Sequence, residues 1–257
     1  MDLRGRNALV TGAGQRIGRA IAYGLIRRGV NVAIHYHRSE HGAKATMMEG
    51  EVAGVRVAML RADLSDAAAA EALPARAAEA LGGGGGGGGL DIAVLSAAVM
   101  ERRPMAEVTP ADWDRVMNLN LRGTFFAAKG AAAAMAARRP PAGGSLPAGA
   151  VVALADLAAF QRWRQYPVHG ISKAGVVALC ELLAKTLAPA VRVNAVAPGA
   201  VLLPEDWDQA ARDKLVASTP LGRLGTPDDV VRAVLFLLEN DYLTGTTLVV
   251  DGGRLIR

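Results

Sequence analysis

One cysteine, Cys180, in 257 residues has no partner within the chain, which excludes an intramolecular disulfide framework and a cysteine-rich metal cluster; no metal site is expected. Its apolar helical setting, Val176 to Leu183, reads as that of a buried structural thiol. Aromatic residues make up only 4% of the chain and charged residues 21%, against 51% hydrophobic, so one large core in a single α/β domain is expected. No apolar stretch of about 18 residues stands out as a membrane span. The first strand begins within about six residues of Met1, too early for a signal peptide, and the expectation is a cytoplasmic protein without a membrane partner. The 29 Lys and Arg against 24 Asp and Glu are scattered, not run together as in a nucleic-acid tail, and a nucleotide phosphate is anion enough to account for them.

What is present is an alternation of short apolar runs with longer helical patterns. Ala8-Val10, Val32-His35, Val55-Leu60, Ile92-Leu95, Ala150-Leu154, Val191-Val196 and Thr247-Asp251 read as seven strands covered on both faces. Between them, Ile17-Arg28, Ser39-Gly50, Ser65-Leu81, Ala111-Ala137, Pro167-Leu187 and Pro227-Leu238 have lengths suited to right-handed crossover helices. The pattern predicts a doubly wound parallel sheet of Rossmann type. Thr226-Pro227-Asp228-Asp229 has the form of a helix start, with Thr as N-cap and acids at the positive helix end. Gly82 to Gly89 is too costly in backbone entropy for regular structure and reads as a mobile connection. Arg138 to Ala148, rich in Pro and Gly, reads as a second loop.

Directly after the first strand comes Thr11-Gly12-Ala13-Gly14-Gln15-Arg16-Ile17-Gly18. A glycine-rich turn between a strand and a helix lets backbone N–H groups and the helix N-terminus approach a pyrophosphate; without that setting it would be an ordinary tight turn. The second strand runs into His35-Tyr36-His37-Arg38-Ser39, which lacks the acid that dinucleotide folds often place against a ribose 2′-hydroxyl. Arg38 can fork onto a 2′-phosphate, Ser39 and His37 can donate to it, and NADP(H) is therefore preferred over NAD(H). The alternative is a solvated basic loop. Asp63, followed by Leu64, lies near the adenine in this reading, or else caps the helix from Ser65.

These residues resemble the classical short-chain dehydrogenase/reductase family over essentially the whole chain. Asn120, within Asn118-Leu119-Asn120-Leu121-Arg122-Gly123, matches the family's catalytic asparagine. Pro198-Gly199 matches its nicotinamide-side loop and Asp251-Gly252-Gly253 its terminal motif. Within the family the chain looks most like the pteridine reductases, on three features: Arg16 in place of the middle glycine, the His35-to-Ser39 string, and Asp156 at the position usually held by the catalytic serine. Tyr166-Pro167-Val168-His169-Gly170-Ile171-Ser172-Lys173 resembles the family's Tyr-x-x-x-Lys helix with His169 in place of the tyrosine. Where the family has Asn-Asn-Ala-Gly, this chain has Leu95-Ser96-Ala97-Ala98, so side-chain support of the cofactor pocket is reduced while Ser96 and Ala97 still line it. The aromatic that stacks on a pterin falls at Met100, polarisable but without a flat face. The resemblance implies a homo-oligomer, a tetramer, packed through the helices at Ala111-Ala137 and Pro167-Leu187, and a substrate lid over Val201 to Ser218.

In the family the tyrosine protonates the substrate oxygen as hydride arrives. His169 and Lys173 lie one helical turn apart and share a face. The resemblance gives the Lys173 ammonium to the nicotinamide ribose. A like charge disfavours imidazolium whereas Asp156 favours it, and an imidazole titrates near 6.5 against about 10 for a phenol, so His169 is an admissible proton donor. Tyr166, expected as an N-cap outside the helix proper, and Arg16 are other donors at a substrate site bordered by Arg16, Met100, Asp156 and Tyr166. The primary expectation is an NADP(H)-dependent reductase of a pterin-like or other small conjugated C=N or C=O substrate. Two alternatives stay open: a nucleotide-binding protein without ordinary redox activity, and a conventional carbonyl or 3-oxoacyl reductase.

Overall fold

A computed structural model describes residues 1–82, 89–137, 149–203 and 207–256. The glycine run at 83–88 and the loop at 138–148, both read from the sequence as connections, lie outside the described residues, as do 204–206 of the expected lid.

The chain begins with β1 (Asn7–Thr11), α1 (Arg16–Ile26), β2 (Asn31–Tyr36), α2 (Glu40–Ala53), β3 (Val57–Arg61), α3 (Ala67–Leu81) and β4 (Ile92–Leu95). It continues through α4 (Pro110–Met117), a π-helical turn (Asn118–Gly123), α5 (Thr124–Ala136), β5 (Gly149–Leu154) and the short α6 (Ala158–Gln161). Then come α7 (Pro167–Leu187), β6 (Val191–Pro198), α8 (Gln209–Ala217), α9 (Pro227–Glu239) and β7 (Thr247–Val250). The seven strands form one sheet in the order β3-β2-β1-β4-β5-β6-β7, and every neighbouring pair is parallel. All seven expected strands are present.

Strand alternation divides the core into two layers. Ala8 and Val10 face a cluster with Ile21, Leu25, Val230 and Val234 of α1 and α9, while Leu9 faces Leu73, Ala127, Ala131 and Val176 of α3, α5 and α7. The strands are apolar throughout because both faces are covered. The predicted start of α9 is found: Thr226 and Asp229 form a reciprocal capping box with Pro227 in the first turn. Cys180 is buried, and burial pushes its thiol up to about 12.

Three expectations are corrected. The helix read as continuous over Ala111-Ala137 is broken by the π-helical turn, which no Gly-Pro or polar cluster announces. The cap of α3 is Asp66, whose carboxylate accepts from the N–H groups of Ala68 and Ala69; Asp63 instead accepts from the Ser65 N–H and hydroxyl. Finally, α7 is long and apolar enough to cross a membrane by length and composition, with a mean hydropathy of 1.3. It lies against β6, α6 and the π-helical turn, buries His169, Ser172 and Lys173, and has the contacts of a core helix.

Candidate active site

The sheet order reverses at β1, between β2 and β4, and the carboxyl ends of β1 and β4 open the crevice where ligands sit in folds of this topology. Thr11 ties the two ends together, its hydroxyl accepting from Ser96 N–H (2.9 Å) and Ala97 N–H (3.0 Å). Gly12 follows with φ +67, and a Cβ there would lie 2.9 Å from the Ala97 Cα. At Gly18 a Cβ would come within 2.4 Å of the Gly12 carbonyl oxygen, so the turn can close onto α1 only as glycine. Gly14 packs as closely on the Ser39 carbonyl. Gln15 precedes α1 in extended conformation without a side-chain cap, and the first turn carries no acid, which leaves the N–H groups and positive end of α1 free for an anion. Arg16 sits at φ +53, and its guanidinium donates to the Leu202 carbonyl at 2.7 Å, joining the glycine turn to the start of the expected lid. Ile17 packs behind it against the core.

His35 is the buried support of this turn. Its Nδ1 accepts the Gly12 N–H at 3.1 Å and its Nε2 lies 3.2 Å from the Ala62 carbonyl, so the ring is neutral with the proton on Nε2. Burial holds its pKa down to about 4. Beyond it Tyr36 is half-buried, His37 and Arg38 are exposed, and Ser39 precedes α2 without a side-chain bond to that helix. His37 Nε2 is 4.0 Å from Asp63 Oδ2, and the Ser65 hydrogen bonds keep the Asp63 carboxyl below its ordinary range. Leu64 is buried beneath. An uncapped helix end, close-packed glycines, and a second strand ending in base and hydroxyl instead of carboxylate suit a dinucleotide with a 2′-phosphate.

On the other side of the crevice, the backbone of Val99 joins the elements. Its N–H donates to Asn120 Oδ1 (2.8 Å), and its carbonyl accepts from Asn120 Nδ2 (2.9 Å). Asn120 Nδ2 also reaches the Ser172 hydroxyl at 3.0 Å, which donates to the His169 carbonyl at 2.7 Å. The π-helical turn thus presents Asn120 simultaneously to the β4–α4 loop and to α7. His169, 3% exposed, brings Nδ1 to 3.2 Å from the Val99 carbonyl. A carbonyl oxygen only accepts, so Nδ1 carries the proton, and Nε2 is buried with no hydrogen-bond partner, 3.7 Å from Asp156 Oδ2.

Asp156 follows β5. Its Oδ1 accepts the Ala158 N–H at 2.7 Å, which fixes the carboxylate at the start of α6 while leaving the side chain 21% exposed. Lys173 is buried one turn after His169, where its Nζ donates to the Leu154 carbonyl at 2.6 Å, and burial, opposed by the Asp156 charge, lowers its pKa to about 8. Pro198 ends β6 with its carbonyl accepting the Leu157 N–H, and Gly199 packs on Asp251. Arg254 is half-buried nearby; burial lowers its pKa, while the charges of Asp251 and Asp156 raise it. Tyr166 precedes α7 as N-cap, as expected, with its ring edge-on to Trp163. Met100 is 48% exposed at the rim.

The structure therefore brings Asp156 to 3.7 Å from His169 and within reach of the Lys173 charge, and links Asn120 through Ser172 to His169 on the same helix. Thr11, His35 and Ser172 were missed as supports, and so was the Val99 backbone. His35 stood in plain view in the basic string, yet only strand alternation separates an inward strut from the outward His37. No sequence signal marks a backbone carbonyl. A groove of about 390 Å³ lies elsewhere, lined by Met117, Asn118, Leu121, Arg122, Phe125 and Leu179.

The family model for enoyl-(acyl carrier protein) reductase matches residues 12–254. The 3beta-hydroxysteroid dehydrogenase 1 of Eggerthella lenta is 33% identical, over 98% of this chain and 94% of that one. Among solved structures, a short-chain dehydrogenase from Burkholderia cenocepacia in complex with NADP aligns with TM-score 0.87 at 31% identity, covering 99% of each chain. The FolM alternative dihydrofolate reductase 1 from Brucella suis in complex with NADP aligns with TM-score 0.87 at 27% identity, covering 100% of this chain and 97% of that one. Sheet order, glycine turn and comparisons agree, and the chain belongs to the short-chain dehydrogenase/reductase family.

Proposed function

We propose that the protein is an NADP(H)-dependent reductase of the pteridine-reductase-like branch, acting on a pterin-like or other small conjugated C=N or C=O group. In this reading His169 and Asp156 serve where the family uses tyrosine and serine. The observation that carries it is the buried Nε2 of His169, without a hydrogen-bond partner and facing Asp156, on a ring whose other nitrogen is fixed by Val99. A buried polar atom without a partner is costly unless a ligand completes it.

NADP(H), when bound, supplies or takes up the hydride. Gly12, Gly14, Gly18 and the open end of α1 hold the pyrophosphate; His37, Arg38 and Ser39 hold the 2′-phosphate, with Tyr36, Asp63 and Leu64 on the adenine side. Ser96, Ala97, Pro198 and Gly199 border the nicotinamide end, and Lys173 meets its ribose. In reduction, imidazolium His169 gives the Nε2 proton to the substrate heteroatom, and the ring returns to the Nδ1–H form that Val99 already holds, with no change of tautomer. Asp156 faces that nitrogen with Oδ2 at 3.7 Å. In the reverse direction the neutral ring accepts at Nε2. Arg16, Met100 and Tyr166 border the substrate, and residues 201–218 form its lid. The exposed apolar groove between the π-helical turn and α7, with Phe125 at its edge, supports assembly into a homo-oligomer, in the family pattern a tetramer.

The test is NADPH oxidation across dihydropterins, ketones and 3-oxoacyl thioesters, with His169→Phe and His169→Tyr. Loss of a general acid costs roughly 100-fold or more, so His169→Phe falls by that factor, whereas His169→Tyr raises turnover or moves the pH optimum upward. Unchanged rate and pH profile in both variants would remove His169 from the reaction. The match to an enoyl-(acyl carrier protein) reductase model supports a second reading, an acyl or carbonyl reductase, which the thioester and ketone arms distinguish. NADPH binding without oxidation across the whole panel would favour the non-catalytic alternative.

A further inference from the structure

Among the described residues, two that are not glycine hold a positive φ, and both are arginines: Arg16 of the glycine turn and Arg162 of the loop ahead of α7, each at φ +53. A left-handed backbone favours glycine, and a side chain kept there against that preference points to a task for the side chain. Arg16 has one, its bond to Leu202. Arg162 does not: its guanidinium donates to the carbonyl of Phe160, two residues back, an exposed local bond that any small turn can do without.

Arg162 belongs to a loop that reads Arg162-Trp163-Arg164-Gln165 and runs directly into Tyr166 and α7, a few residues before His169. The Gln165 carbonyl accepts the Arg103 N–H at 2.8 Å, so this loop is stitched to Arg102-Arg103 of the β4–α4 loop, which also carries Val99. At its other end Gln161 Nε2 bonds the Arg254 carbonyl at 2.7 Å. The local acids are already engaged: Arg115 pairs with Glu101 and Asp112, and Arg103 with Asp112 at 3.3 Å. Arg102, Arg162 and Arg164 are exposed, and none of them meets a carboxylate among the described residues. Between them the edge-on pair Trp163 and Tyr166, with centroids 6.2 Å apart, offers flat apolar surface.

We infer that Arg102, Arg162 and Arg164 form a cationic collar at the mouth of the site that binds an anionic tail, carboxylate or phosphate, on a substrate whose reactive head enters toward His169. Guanidinium forks match either group, and an aromatic face between them suits the linker joining head to tail. The inference rests on the proposed reductase reading for the identity of the head but not for the binding of the tail.

The test is calorimetric titration of the full chain, saturated with NADP⁺ so that the cofactor's own anion site is filled. Four probes are compared: a pterin with a neutral hydroxyalkyl side chain, the same head with a side chain ending in phosphate, the same head with one ending in glutamate, and p-aminobenzoylglutamate alone. At least one tailed pterin is expected to bind tenfold or more tighter than the neutral one at low salt, with the advantage shrinking as NaCl rises. The phosphate and glutamate arms decide which anion the collar prefers. Arg162→Gly with Arg164→Gln should erase the advantage while leaving NADP⁺ and neutral-pterin affinity unchanged. Because glycine suits the backbone at 162, the single Arg162→Gly variant should melt higher than wild type yet bind the tail more weakly, a combination that local misfolding does not produce. Equal affinity for neutral and tailed probes, or an advantage that survives the double variant, overturns the collar. If no pterin binds but p-aminobenzoylglutamate does so in a collar-dependent way, the collar stands and the pterin reading falls. If that probe also fails, both fall.

Discussion

Lys173 should make the stability of the cofactor-free protein rise with pH in a window where most proteins are losing it. The ammonium is buried, bonds only the Leu154 carbonyl, and is held at about 8 against an ordinary value of 10.5. Below pH 8 the lysine is charged in both folded and unfolded chains, and the full cost of burying the charge is present. Between pH 8 and 10.5 the unfolded chain keeps its proton while the folded one releases it, so the unfolded state binds more protons and stability increases with pH. The shift corresponds to about 3 kcal/mol across that window. Cys180 acts oppositely, since a thiol raised to about 12 contributes stability below pH 9 that is lost as pH rises toward 12. The measurement is therefore a difference: urea unfolding of wild type and Lys173→Met at half-unit steps from pH 7 to 10.5. The wild-type value minus the variant value should climb by about 3 kcal/mol. At pH 7 the variant should be the more stable by about 1 to 2 kcal/mol, the burial cost less the hydrogen bond it gives up. A difference flat to within about 0.5 kcal/mol would refute the claim that burial dominates this lysine.

Three further outcomes follow from the same geometry. Asn120→Ala removes bonds to both Val99 groups and to Ser172, and should cost about 2 to 4 kcal/mol in denaturant unfolding while lowering turnover. His35→Gln should flatten a stability loss of about 3 kcal/mol that wild type shows as pH falls from 6.5 through 4, because the folded ring stays neutral there while the unfolded one takes a proton; acid unfolding curves read this directly. Gly18→Ala places a Cβ 2.4 Å from the Gly12 carbonyl oxygen and should weaken NADPH binding tenfold or more with an unchanged circular-dichroism spectrum.

The strands were readable because a parallel sheet covered on both faces needs uninterrupted apolar runs, and Val32, Ile92 and Val193 announce theirs without ambiguity. The glycine turn was readable for a similar reason, since Gly12 and Gly18 are places where no other residue fits. What escaped was set by partners remote in sequence. The residues at 118–123 have helical propensity on both sides and no breaker before Gly123 at their end, so the widening of the turn around Asn120 is visible only once Val99 and Ser172 are in place. Likewise Asp63 and Asp66 are equivalent letters ahead of α3, and local backbone geometry alone decides that Asp66 becomes the cap. His169 and Asp156 could be paired by their positions, but the assignment of the ring proton to Nδ1 required the Val99 carbonyl.

The π-helical turn between α4 and α5 has a consequence for how this chain tolerates change in length. A single wide turn accommodates one residue more than an α-helix would. Ala127, Ala128, Ala131 and Met135 of α5 lie against the sheet. Deleting one residue from 118–123 would let the turn close as regular α-helix and would leave this row where it is against the sheet. What the deletion would take away is the reach of Asn120 to the Val99 backbone and the Ser172 hydroxyl. The segment that looks least regular is thus the one where a change of length can be absorbed without moving the helices on either side, and its extra residue serves the site, not the packing.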